Sequence, residues 1–294
     1  MKTLDIIVPV FNEESCINET IKHLENVREN LNSELDVNFV FVNDGSKDET
    51  ANIITTYGQN NKYVKLINFS RNFGHQIAVT AGLDNTNADY VAIIDADLQD
   101  PPELIIDMYN KTKEGYDIVY GKRLKRENET AFKKFTAFTF YRVLNYMCDI
   151  DIPKDTGDFR LITKPVVDTL KNMPEHHRFI RGMVPWTGFK STPIMFNRDE
   201  RFAGETKYPL SKMLKLASNA IFSFSTKPLK VFYVIGILLL FLAILNISNV
   251  YLTSLFLVGA LQLLGMGLLG EYLGRIFDDV KDRPLYVVKN KINL

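Results

Sequence analysis

Asp95 and Asp97 stand one residue apart in the run Asp95-Ala96-Asp97-Leu98-Gln99-Asp100-Pro101-Pro102, directly after an apolar stretch. Two carboxylates in one short turn repel each other unless a cation or deep solvation separates them. Mg²⁺ or Mn²⁺ takes hard oxygen ligands, often one or two carboxylates completed by substrate phosphates. A cation held there would neutralise a diphosphate and stabilise it as a leaving group. An isolated D-x-D pair is more often a solvated loop. Its position at a strand end, before Gln99 and two prolines, gives this one its weight.

Four other apolar runs end in the same manner. They are followed by Pro9-Val10-Phe11-Asn12-Glu13-Glu14, Asn43-Asp44-Gly45-Ser46, Ser70-Arg71-Asn72 and Gly121-Lys122-Arg123. Taken singly, each is a turn or a helix cap. Five together mark one edge where acids, amides and bases converge.

The elements that must position them read as alternating strands and helices. Buried strands are expected at 4–10, 37–42, 64–69, 90–94 and 118–120, with helices at 13–31, 48–57, 74–84 and 102–113. Such alternation predicts an α/β domain with a mostly parallel sheet. Ligands of open α/β sheets bind beyond the carboxyl ends of the strands.

Composition excludes some partners. Lysine plus arginine number 35 and aspartate plus glutamate 35, so no basic excess points to nucleic acid. Cys16 and Cys148 have no metal-ligand spacing. The opening MKTLDIIVPV is too short an apolar run for a signal peptide, and Asp5 and Pro9 interrupt it. Residues 231–270 contain no Asp, Glu, Lys or Arg. A bilayer core of about 30 Å needs about 20 apolar residues per helix, so this run predicts two transmembrane helices, 229–247 and 251–273. Lys207, Lys212, Lys215, Lys227 and Lys230 precede it, and Arg275, Lys281, Arg283, Lys289 and Lys291 follow it. That places both ends in the cytoplasm. Gly265-x-Gly267-x-x-Gly270 matches a dinucleotide fingerprint, but it lies inside the uncharged run rather than after a strand. With Gly274 these glycines suit close helix packing and hint at a homo-oligomer.

The ordered set V-P-V-F-N-E-E, V-N-D-G-S-x-D-x-T, S-R-N-F-G-H-Q and D-A-D-L-Q-D-P-P resembles glycosyltransferase family 2. Within that family the chain resembles the polyprenyl-phosphate glycosyltransferases: bactoprenol glucosyltransferases and dolichol-phosphate-mannose-synthase-like enzymes. The segment 270–286, G-E-Y-L-G-R-I-F-D-D-V-K-D-R-P-L-Y, carries the bactoprenol likeness.

The resemblance implies a GT-A fold, Rossmann-like, over residues 1–208. An amphipathic interfacial helix (209–228), the hairpin (229–273) and a cytoplasmic tail (274–294) would follow. It implies an inverting transfer of a hexose, foremost glucose from UDP-glucose, onto undecaprenyl phosphate at the plasma membrane. N-acetylglucosamine, galactose and mannose donors stay open. Pro9, Phe11, Glu13, Asp44, Ser70 and Asp95 would line the nucleotide-sugar site, with Asp44 at the base edge. Asp97 and Gln99 would hold Mg²⁺ or Mn²⁺. Asp158 matches the acid near the acceptor, usually called a general base. A phosphate monoester has a second pKa near 6 and hardly needs deprotonation, so orienting the acceptor is an equal role for Asp158. Arg123 and Arg126, on a basic loop from 122 to 134, and Arg201 and Lys207 further on, would bind acceptor phosphate; arginine suits bidentate phosphate contact.

Residues 131–147 and 209–224 carry apolar, aromatic-rich faces suited to the membrane interface. None of His23, His75, His176 and His177 has a second metal ligand at productive spacing, and His75, in S-R-N-F-G-H-Q, is expected to be structural or near the donor. A processive polysaccharide synthase would show Q-x-x-R-W, which is absent: Trp186, the only tryptophan, lies elsewhere. An inactive scaffold would have lost acids that are all present here.

Overall fold

A computed structural model describes residues 1–124, 156–197 and 251–294. Among these, the chain runs β1 (Lys2–Val10), α1 (Ile17–Leu31), β2 (Leu35–Asn43), α2 (Thr50–Asn60), β3 (Val64–Phe69), α3 (His75–Asp84), β4 (Tyr90–Ile93), α4 (Leu104–Lys113), β5 (Ile118–Arg123), β6 (Thr156–Thr163), α5 (Lys164–Lys171), α6 (Ile180–Trp186), β7 (Ser191–Phe196), α7 (Tyr251–Lys281) and β8 (Val288–Ile292). The strands form one sheet in the order β7-β5-β6-β4-β1-β2-β3-β8.

The β-branched run of β1 buries residues on both faces, as a central parallel strand must. Leu4, Ile6, Val8 and Val10 join one apolar layer and Ile7 joins the other. The first layer is completed by α1, through Ile17, Ile21, Leu24, Val27 and Leu31, and by Ile54, Ile105 and Met108 of α2 and α4. The second is completed by α3, α5 and α6, through Ala78, Val79, Val166, Leu170 and Met183. The result is a sheet with helices on both faces, the expected α/β architecture. Pairing is parallel along β3-β2-β1-β4 and between β5 and β7.

The strand order reverses between β2 and β4 around β1. Loops at such a switch point diverge and leave a crevice. The expected acids and amides follow β1, β2, β3 and β4 at that edge.

Three strands were not expected. β6 inserts antiparallel between β4 and β5. It puts Asp158 and Arg160 on an interior strand. β7 follows α6 and lies parallel to β5 at one sheet edge. β8 returns from the chain's far end and pairs antiparallel with β3.

Among the described residues no helix is long and apolar enough to cross a membrane. The first expected span, 229–247, lies outside the described residues, as do 131–147 and 209–228. The second, 251–273, is part of α7, one continuous helix that runs on through Arg275, Asp278 and Asp279 to Lys281. Its charged final turns do not belong in hydrocarbon. A Cβ added at Gly267, Gly270 or Gly274 would meet nothing within 4 Å, so none of the described residues packs against these glycines.

The segment after α7 is fastened to the domain. Tyr286 stacks on Phe69 with ring centroids 5.1 Å apart, and its hydroxyl donates to Asp84 Oδ2 at 3.1 Å. Asn293 Nδ2 donates to the carbonyls of Gly58 (2.7 Å) and Val64 (2.8 Å). Tyr286→Ala removes the stack and the hydroxyl together. It is expected to destabilise the domain by about 2 kcal/mol, read as a lowered midpoint in chemical denaturation of the purified protein. An unchanged midpoint means that the β8 segment adds nothing to the fold.

Candidate active site

The loops at the carboxyl edge are laced to one another. Asn12 sits at φ 53°, a conformation its short polar side chain tolerates. Its N–H donates to Ser46 Oγ at 3.0 Å, and its Oδ1 accepts from Lys47 N at 2.8 Å. Gly45 has φ +71°, and a Cβ there would lie 2.6 Å from the Arg71 carbonyl carbon. Only glycine fits where the β2 and β3 loops press together.

Asp44, expected at a base edge, is 4% exposed. Its Oδ1 accepts from Phe73 N at 2.6 Å and its Oδ2 from Gly74 N at 2.9 Å. Burial pushes its carboxyl up, and these two backbone bonds pull against that shift. Asp44 therefore shapes the β3–α3 loop directly. Ser70, exposed at the end of β3, receives the carbonyl of Val287 on its N–H at 2.9 Å. Pro9 is buried near the end of β1, while Phe11 and Glu13 are partly exposed beyond it; Glu13 N donates to Thr50 Oγ1 at 2.8 Å.

The acid turn is held from below and within. Thr20 Oγ1 of α1 donates to the Ala96 carbonyl at 2.7 Å. Leu98 takes φ 55°, and Gln99 N donates to Asp97 Oδ1 at 3.2 Å. That turn brings Asp97 and Gln99 side by side, both partly exposed. Burial first, and then the neighbouring charges of Asp158, Asp97 and Asp100, push the Asp95 carboxyl up, against the pull of His75. A hard cation suits this crowd of oxygens. Among the described residues no group of three or more His, Cys, Asp or Glu could hold a metal; a hard cation commonly completes its shell with substrate phosphates.

Asp158 is the most heavily engaged group. It is 2% exposed on β6. Arg181, from α6, donates Nε to Oδ1 at 2.9 Å and Nη2 to Oδ2 at 3.0 Å. Gln76 Nε2 (3.1 Å) and His75 Nε2 (3.2 Å) also reach Oδ2. Burial favours the neutral acid, yet Arg181 and His75 outweigh it and hold the carboxyl well below the usual range. His75 Nε2 lies 3.5 Å from Asp95 Oδ1 as well. The imidazole thus touches the acid of β4's end and the acid of β6. Beneath them, buried Arg160 donates Nε to the Asp158 carbonyl (3.1 Å) and Nη2 to the Gly157 carbonyl (2.9 Å).

Arg123, expected on a basic loop, is the last residue of β5, paired with Phe196. Its Nη2 lies 3.4 Å from Asp100 Oδ1. Gly157 leaves it room: a Cβ there would be 3.0 Å from Nη2. Arg126, Arg201 and Lys207 lie outside the described residues.

The structure thus brings together Asp95, Asp97, Gln99 and Asp158, sets His75 between two of these acids, and adds Gln76 and Arg181, which sequence reasoning did not assign. His75 and Gln76 stood inside a noted motif. Arg181 had no local signal, since it meets Asp158 only through the packing of α6 on β6.

Residues 5–171 match the family model for glycosyl transferase family 2. The chain is 48% identical to an uncharacterized glycosyltransferase, YkcC, of Bacillus subtilis, over 98% of this chain and 94% of that one. It is 38% identical to a bactoprenol glucosyl transferase of Shigella phage SfX, over 98% and 99%. Glucosyl-3-phosphoglycerate synthase of Mycobacterium tuberculosis has a TM-score of 0.50 at 16% identity, covering 75% of this chain and 78% of that one; that likeness is one of fold. A GT-A-like sheet with its acids gathered at the carboxyl edge, matched by the family model over more than half its length, places the chain in glycosyl transferase family 2.

Proposed function

We propose that this glycosyltransferase moves glucose from UDP-glucose onto undecaprenyl phosphate at the cytoplasmic face of the membrane, with inversion at the anomeric carbon. The observation that carries the proposal is the 38% identity, over nearly the full length of both chains, with a bactoprenol glucosyl transferase. The acids at the switch point supply the chemistry such a transfer needs.

A phosphate oxygen of the lipid forms the new bond to the anomeric carbon as the bond to UDP breaks. The acceptor is largely dianionic at neutral pH, so no proton has to be removed. Asp158, held ionised by Arg181, is a poor proton acceptor. Its suited role is to orient the acceptor side and to face the positive charge that develops on the sugar. Mg²⁺ or Mn²⁺, when bound, would be held by Asp97 and Gln99 and would offset the charge of the diphosphate. Asp95 lies beside them on the donor side, and Asp44 holds the loop of Ser70 against which the nucleotide would lie. Arg123, with Arg126, Arg201 and Lys207, would supply positive charge for the lipid phosphate.

Membrane attachment through residues 231–270 completes the proposal. β7 ends at Phe196 and β8 begins at Val288, and both lie in one sheet. A chain that leaves and rejoins one sheet crosses a bilayer an even number of times or not at all. The uncharged run has room for a hairpin, and the lysines and arginines flanking it favour the cytoplasm for both ends. The glycines of α7 are then available to a second copy.

Two outcomes are expected. Nucleotide release by the purified protein with Mg²⁺ or Mn²⁺ depends on undecaprenyl phosphate when UDP-glucose is the donor. It does not when UDP-N-acetylglucosamine, UDP-galactose or GDP-mannose is offered. Asp97→Asn lowers the lipid-dependent rate by about 100-fold or more; lipid-independent release with every donor would sink the acceptor assignment. Secondly, Asp158→Asn slows transfer by about 100-fold, and by the same factor at each point between about pH 6 and pH 8, because the native carboxylate does not titrate there. A rate ratio that climbs steadily with pH over that window would restore Asp158 as a base.

A further inference from the structure

We infer that His75 is a positioning residue that holds the donor-side acid Asp95 and the acceptor-side acid Asp158 in one working arrangement. This rests on the glycosyl-transfer reading above and gives a definite role to a side chain that its motif marked only as structural or near the donor.

One ring atom carries the geometry. His75 Nε2 lies 3.2 Å from Asp158 Oδ2 and 3.5 Å from Asp95 Oδ1. Asp158 stands on β6 and Asp95 just beyond β4; the two carboxylates repel each other, and an imidazole in reach of both sets how they sit. The ring is delivered by a fixed backbone. Gly74, at φ +105°, turns the chain into α3, and the N–H groups just before His75, those of Phe73 and Gly74, both rest on Asp44. Just after it, Gln76 donates to Asp158 Oδ2 at 3.1 Å and accepts from Ile180 N at 2.9 Å. His75 is therefore located from both sides: by Asp44 of the donor loop on entry, and by Gln76 and α6 on exit.

An ordinary core histidine would be enclosed by apolar neighbours and hydrogen-bonded once. His75 remains about a third exposed and meets two acids of the site. Burial pulls its basicity down, but Asp95 and Asp158 raise it to about 9. The ring thus carries charge and donates at neutral pH, which suits a bridge between carboxylates. Loss of the bridge leaves each acid attached to its own strand and frees their relative placement. Misplacement on the scale of 1 Å is enough to cost about 100-fold in rate.

The test uses the full-length protein and compares His75→Ala and His75→Gln with wild type. Four quantities are read: kcat, donor KM, UDP affinity by calorimetry with Mn²⁺, and the share of nucleotide release that is lipid-independent hydrolysis. His75→Ala is expected to lower kcat by about 100-fold while KM and UDP affinity stay within about twofold, and to raise the hydrolytic share, because a loosened site no longer favours the lipid phosphate over water. Glutamine, which retains N–H donors at similar reach, is expected to recover about tenfold of the loss. Wild-type kcat in His75→Ala overturns the inference. So does a parallel loss of UDP affinity, which would make His75 part of the nucleotide pocket instead. Should the alanine variant not fold, the glutamine variant decides: lowered kcat at unchanged KM supports the bridge, and unchanged kcat refutes it. A wrong glycosyl-transfer reading shows in the wild-type protein, whereas a wrong inference shows only in the ratio of variant to wild type.

Discussion

A carboxylate that is 2% exposed on an interior strand keeps its charge only where protein donors replace the water it has lost. Asp158 meets that demand with the fork of Arg181, the amide of Gln76 and the ring of His75. Stripping one partner from such a buried pair costs about 3–5 kcal/mol, because the other charge is left stranded. The constraint therefore fixes α6, which brings Arg181, and the first turn of α3, which brings His75 and Gln76, against β6. Arg160 extends it downward. Burial lowers its basicity to about 10, and the carbonyls of Gly157 and Asp158 take two of its N–H groups. An acid clamped from above and a base bonded from below leave β6 little freedom to shift register.

Asp95 shows the opposite balance. Asp95, less deeply placed than Asp158, has its desolvation only partly offset, because His75 works against three neighbouring carboxylates. Two acids that share one imidazole are thus pushed in opposite directions, a pattern that separates roles. One stays charged throughout, which fits the orienting role proposed for it. The other lies among three further carboxylates, Asp158, Asp97 and Asp100. A cation arriving with a diphosphate would bring charge of both signs to that place, and only the cation relieves the crowding. On the proposed reading, the D-x-D turn would take a metal shared with the diphosphate.

Much of this was legible in the sequence, for a definite reason. Central parallel strands are apolar on both faces, so β1 to β5 announced themselves as runs, and the polar residues after them had nowhere to lie but the edge. Helix α1 begins at Ile17 rather than 13 because residues 12–16 are occupied in loop contacts: Asn12 with the β2 loop, and the Glu13 carbonyl with the N–H groups of Cys16 and Ile17. β6 was missed because its charged residues, Asp158 and Arg160, interrupt the apolar signal, and they are buried only because Arg181 comes from elsewhere. β8, with Val288-Lys-Asn-Lys-Ile292, has only its ends partly buried; pairing with β3, not hydrophobicity, makes it a strand. Asp44 was legible as important and illegible in detail, since nothing local says that its carboxylate will receive the N–H groups of Phe73 and Gly74.

The return of the chain after α7 ties the far end of the sequence to both halves of the site. Val287 offers its carbonyl to Ser70 at 2.9 Å, and Tyr286 stacks on Phe69, which meets Phe73 edge-on at 5.5 Å. Those rings flank the loop that carries His75. On the other side, His176 donates Nε2 to the Arg283 carbonyl at 2.9 Å and receives Asp279 Oδ1 on its N–H at 3.0 Å, while His177 lies 3.4 Å from Asp278. The connector they occupy leads directly into α6 and Arg181. The end of α7 and the strand after it therefore bear on the donor loop and on the clamp of Asp158 at once. If the acceptor is the proposed lipid, the catalytic edge has to be held at a fixed height and tilt over the bilayer. A segment that leaves the uncharged run and fastens to both sides of the site before closing the sheet is a direct way to transmit that placement.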